Sequence, residues 1–143
     1  MKFLWLGVIL MSCAPQANLD QIGEMYTKLA LDIGQYDSDF VDAYYGKPEW
    51  KNQIPKKEET LPFRRLKETA HLITATIESL DTLSLSVDEQ NRFRFLRKQL
   101  LAVYARLEML NGKKFAFDAE SLELFDAVAP TYDEAYFKSL LHD

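Results

Sequence analysis

Glu68 and His71 stand three residues apart in a segment of helical periodicity, the spacing with which a di-iron bundle helix presents two ligands on one face. A working site of that kind needs a second such pair and two further carboxylates. The only other histidine, His142, has no glutamate three residues before it. No metal site is therefore expected, and His71 reads as a partly exposed helix histidine paired with Glu68. The carboxylates of Asp37-Ser-Asp39-Phe-Val-Asp42 are spaced like those of a calcium loop. Glycine at the sixth position and glutamate at the twelfth are both missing, which favours a role in capping a helix N-terminus. The aromatic cluster Tyr44, Tyr45 and Trp50, beside Gly46 and Pro48, has two readings: a platform for a sugar or peptide ligand, or rings packed over the edge of the core. Arg92, Arg94, Arg97 and Lys98 form a basic stretch in an acidic chain. It is either the solvated side of an amphipathic helix with Glu89 as a partner, or a surface for an anionic ligand. No complete catalytic motif is present, so no catalytic residue and no cofactor is expected.

Cys13 is the sole cysteine, and it directly follows the apolar run Phe3-Leu-Trp-Leu-Gly-Val-Ile-Leu-Met11, which begins behind Lys2. Leu10-Met11-Ser12-Cys13 resembles the lipobox of bacterial lipoproteins. That resemblance implies acylation of the Cys13 thiol and cleavage before it, with residues 1–12 as signal peptide and 13–18 as lipidated cysteine and tether. An ordinary secretory signal and a buried N-terminal helix are the competing readings. The run is far shorter than the roughly 20 apolar residues that cross a bilayer, and a basic start with a short apolar stretch is the pattern of an exported leader. The expected location is the cell envelope, lipid-anchored, at the periplasmic face of the outer membrane. Two or three acyl chains hold a protein firmly where one does not.

Net charge is −5, which argues against nucleic-acid binding through phosphates. With 48% hydrophobic and 13% aromatic residues, the chain has the composition of one packed domain, expected over residues 19–143. A single cysteine leaves no disulfide, so the core must carry the fold.

The elements that would position these groups are helices, and the expected architecture is an all-α bundle of about five to six. Leu19, Ile22, Tyr26, Leu29 and Ile33 recur at spacings of three and four, with Asn18 as N-cap and Gln21 reaching back. A second helix is expected from Asp37 or Ser38 to Gly46, followed by an exposed connection over Lys47 to Glu59. The third begins near Thr60, with Pro62 in its first turn and Phe63, Leu66, Ala70, Ile73, Ile77 and Leu80 inward. The fourth opens with the capping box Ser86-Val-Asp-Glu89 and runs to Asn111-Gly112, turning Phe93, Leu96, Leu100, Tyr104 and Leu107 inward. A fifth is expected from Asp118 to about Val128, and a sixth from the box Thr131-Tyr-Asp-Glu134. The last segment carries Tyr136, Phe137, Leu140 and Leu141 in a pattern that stops without a cap, as in the N-terminal part of a larger helical architecture.

Asp42-Ala-Tyr-Tyr-Gly-Lys-Pro-Glu-Trp50, Arg106-Leu-Glu-Met-Leu-Asn-Gly112 and Phe125-Asp-Ala-Val-Ala-Pro-Thr-Tyr-Asp-Glu-Ala-Tyr-Phe137 resemble the N-terminal helical region of a bacterial family of uncharacterised exported proteins. Those longer proteins are similar to zinc-dependent helical metallopeptidases. The resemblance implies a non-catalytic scaffold, because the His-Glu-x-x-His helix that holds zinc in such enzymes has no counterpart here. The alternative expectation is a stand-alone interaction or ligand-binding lipoprotein with a protein or peptide partner and Tyr44, Tyr45 and Trp50 as its contact surface.

Overall fold

The computed structural model describes residues 18–141, which form six α-helices and no strand. Asn18 opens α1 (Leu19–Gly34) through a reciprocal capping box: its side chain accepts from the Gln21 amide, and Gln21 Oε1 accepts from the Asn18 amide at 3.0 Å. Two orphan donors of the first turn are thereby satisfied. The helix buries Leu19, Ile22, Leu29 and Ile33, the face its periodicity defines. Tyr26 is half-buried, and its hydroxyl donates to Gln99 Oε1 at 3.0 Å.

The helix expected from Asp37 to Gly46 does not form. After α1 the chain makes turns and then runs irregularly to α2 (Pro48–Asn52), inside the segment expected to be a bare connection. Two causes are visible. The Asp37 carboxylate is drawn to Arg106, which donates to both its oxygens at 2.5 and 2.9 Å and leaves the local Asp39 amide only a long bond of 3.3 Å. Pro48 then supplies a preset φ at the first helical position, so the helix starts there instead.

The third helix, α3 (Phe63–Glu78), buries Leu66, Ala70, Ile73 and Ile77 as expected, with Phe63 and Leu80 packed at the core margin. Pro62 sits at its N-cap, one residue before the first turn. A short 3₁₀ turn (Thr82–Ser84) leads into α4 (Val87–Leu110), which carries the full Ser86/Glu89 capping box. At 24 residues this helix is the longest, about 36 Å at the standard rise. It buries Leu96, Leu100, Val103 and Leu107, while Phe93 and Tyr104 are only partly covered. Gly112, just past its end, has φ +96°, a left-handed conformation that glycine adopts without cost.

Both remaining helices are shorter than their patterns suggest. The fifth, α5 (Phe117–Phe125), ends early because Asp126 turns left-handed at φ 54°. The sixth, α6 (Glu134–Leu140), is capped by Asp133, whose carboxylate accepts from the Tyr136 amide at 2.8 Å; the Thr131 box is not used.

The core lies among α1, α3 and α4; α5 packs on α4, and α2 touches α1. Neither α5 nor α6 buries a single residue. Among the described residues no helix is long and apolar enough to cross a membrane. Cys13 and the leader lie outside the described residues, as does His142.

Candidate functional site

Gly23 in α1 lets the Arg92 guanidinium of α4 lie against the α1 backbone, since a Cβ at Gly23 would stand 2.9 Å from Arg92 Nη2. Arg92 is held there by Asp20, one turn earlier on α1, at 2.5 Å. From the other side α2 brings Trp50, with the Lys47 ammonium over its ring 5.1 Å from the centroid. Between these elements lies an open groove of about 700 Å³, lined by Tyr26, Trp50 and Phe95 together with Asp20, Glu24, Lys47 and Arg92. Burial pushes the Tyr26 hydroxyl above its usual range, so it stays protonated and available as the donor to Gln99.

The expected aromatic platform is thus divided. Trp50 lines the groove, Tyr45 stands 96% exposed, and Tyr44 lies across Gly46 with its hydroxyl donating to the Lys47 carbonyl at 3.0 Å. Gly46 is the residue that this close approach requires, because a Cβ there would meet the Tyr44 ring at 2.5 to 2.6 Å.

The basic stretch on α4 clasps the bundle. Arg92 holds Asp20 of α1, Arg97 holds Glu78 of α3 at 2.7 Å, and Lys98 pairs with Asp126 at the end of α5. Arg94 bonds Asn91 within its own helix. Glu89, the partner expected from the sequence, is instead spent on Ser86, and those hydrogen bonds hold its carboxyl below the usual range.

Glu68 and His71 are not paired either. Glu68 approaches Arg64 at 3.7 Å, while the His71 ring packs on Tyr104 at 4.8 Å between centroids. Their shared helix face has better partners in both directions. No group of three His, Cys, Asp or Glu side chains that could hold a metal ion occurs among the described residues.

Among the ion pairs that escaped the sequence reading, two hold buried carboxylates. Asp32, buried on α1, receives Arg65 of α3, and Asp37 receives Arg106 of α4. The Arg106 hydrogen bonds hold the Asp37 carboxyl below the usual range, against the opposing effect of its burial. The Asp32 pair had a signal in the sequence: a carboxylate between Leu29 and Ile33 sits on the inward stripe of α1 and has to find a cation there.

A second feature is an apolar face left open. Opposite its core side, α4 exposes Phe95 and Leu101, and with Leu122 and Phe125 of α5 these line a cleft of about 450 Å³ that Lys98, Gln99, Glu123 and Asp126 border. At α6 the rings of Tyr136, Phe137 and Tyr132, which just precedes the helix, pack on one another, with Tyr132 and Tyr136 stacked at 4.1 Å, and Leu140 and Leu141 are exposed.

Fold and sites together define a small all-α bundle with a mixed polar and aromatic groove on one side and an uncovered apolar face on another. No protein-family model, no curated protein and no solved structure matches the chain.

Proposed function

We propose that this chain is a non-catalytic helical module, held by lipid on Cys13 at the periplasmic face of the outer membrane, whose α4–α5 side packs against a further helical layer. In this reading it corresponds to the N-terminal scaffold of a metallopeptidase-like protein. The observation that carries it is the open face: Phe95, Leu101, Leu122 and Phe125 are all at least half exposed. Large apolar side chains gathered around one cleft mark an interaction surface on a soluble domain.

Two measurements test the proposal. The full chain, sized across a range of concentrations, should self-associate or bind an apolar dye. Leu101→Lys with Phe125→Lys should remove both behaviours and leave the melting temperature unchanged. A monodisperse protein that ignores the dye, or a double variant that melts early, would refute the scaffold reading. For the anchor, metabolic labelling with an alkynyl fatty acid in a bacterial host should mark the full chain but not Cys13→Ser; equal labelling of both would refute lipidation there.

The alternative, a stand-alone ligand-binding lipoprotein, is favoured by one specific observation: Trp50 opens onto the groove beside α1 and α4.

A further inference from the structure

The charges lining the α1–α2–α4 groove are unevenly committed. Asp20 and Arg92 neutralise one another, and Glu24 holds Lys28 of its own helix, both at 2.5 Å. Lys47 has no carboxylate partner among the described residues; its ammonium rests over the Trp50 ring. The Trp50 indole N–H likewise donates to no described residue, and Tyr26 has its hydroxyl engaged with Gln99. What stays unmatched is one cation and one N–H donor, next to the aromatic side chains of Trp50, Tyr26 and Phe95.

We propose that this groove binds a carboxylate borne on a flat apolar group, an aromatic acid, with Lys47 and the Trp50 indole N–H taking the carboxylate and the aromatic side chains taking the ring. The inference rests on the ligand-binding reading of the groove, which shares the Phe95 side chain with the α4–α5 cleft of the scaffold reading. A single unmatched positive charge selects a monoanion over a polyanion. A charge-assisted hydrogen bond from Lys47 to a carboxylate is stronger than the exposed cation–π contact it replaces, so the ammonium is free to leave the indole for the ligand. The volume of about 700 Å³ falls within the roughly 300–1,000 Å³ of small-molecule sites. The same chemistry is carried by a free aromatic acid and by the C-terminal residue of a peptide ending in phenylalanine.

Trp50 is itself the reporter, because the only other tryptophan is Trp5. The full chain carrying Trp5→Phe is titrated, following Trp50 fluorescence, with phenylacetate and phenylacetamide, then with the tripeptide Ala-Ala-Phe as free acid and as amide. The acids should bind about tenfold more tightly than their amides. Lys47→Met should abolish that preference and Lys47→Arg should keep it, with far-UV circular dichroism reporting that both variants are folded. Preference for the small acid alone, or for the peptide acid alone, supports the proposal and identifies the source. Equal binding of acid and amide overturns it while leaving a ligand groove. A Trp50 signal that responds to none of the four probes overturns both.

Discussion

Replacing Arg106 by Met keeps most of the side chain's apolar stem and removes only the charged fork. Asp37, whose side chain is 6% exposed, would lose hydrogen bonds of 2.5 and 2.9 Å and keep only a weak one from the Asp39 amide at 3.3 Å. Breaking a fully buried pair from one side costs about 3–5 kcal/mol. Here the arginine side chain is 27% exposed, so water reaches the site, and about 2–3 kcal/mol is the reasoned cost. For a domain of this size that lowers Tm by roughly 10 °C. The pH dependence sharpens the test. Because Asp37 is held below its ordinary value in the folded protein, the pair's contribution is fully present above the unfolded carboxyl value of about 4 and is lost as pH falls through the lower folded value. The gap between native and variant melting temperatures, measured by far-UV circular dichroism, should therefore be wide near pH 7 and narrow steadily below about pH 4. A variant within about 0.5 kcal/mol of the native chain at neutral pH, or a gap that ignores pH, would refute the view that this pair locks the exit of α1 onto α4.

Further outcomes follow from the same packing. Ile73→Ala empties the centre of the core and should cost about 2–5 kcal/mol in urea unfolding, whereas Phe125→Ala, at a side chain 73% exposed, should stay within about 0.5 kcal/mol. Asn18→Ala removes the α1 capping box and should cost about 1 kcal/mol by the same assay. Gly112→Ala meets no neighbour within 4 Å, so any loss it causes is backbone strain alone, about 1 kcal/mol. Limited proteolysis should cut between Asp126 and Asp133 and in the segment from Ser38 to Pro62 that precedes α3, neither of which buries a residue, and spare α1, α3 and α4 themselves.

The inward faces of α1 and α3 were legible because each helix gathers its buried side chains on a single stripe, so Ile22, Ile33, Leu66, Ile73 and Ile77 repeat at the helical period. On α4 the pattern read less cleanly, because the helix serves the core through Leu100 and Val103 and presents Phe95 and Leu101 elsewhere; Val103 went unnoticed for that reason. The segment after α1 was misread because Asp37 looks like a cap locally and is an ion-pair partner globally, its arginine lying 69 residues away. The groove is a product of the same non-local pairing: nothing near Trp50 in sequence announces Gly23 or Arg92. The lipid-attachment reading of Cys13 rests on the sequence alone.

Three of the contacts that seat α1 on α4 join residues far apart in the chain: Tyr26 to Gln99, Asp20 to Arg92 and Asp37 to Arg106, separated by 73, 72 and 69 residues. Helices α3 and α4, by contrast, are neighbours joined by a brief turn. Closing a long loop costs entropy before its contacts return anything, so the order of assembly is written into the topology. The α3–α4 hairpin can form from local encounters, and α1 is expected to arrive last, clasped at both ends by arginines already aligned on α4. Pulse-labelled hydrogen exchange should protect α3 and α4 amides before those of α1; simultaneous protection would contradict that order. In that order of assembly the groove that α1 completes with α2 and α4 forms only at the final step, so ligand binding there would report the end of folding.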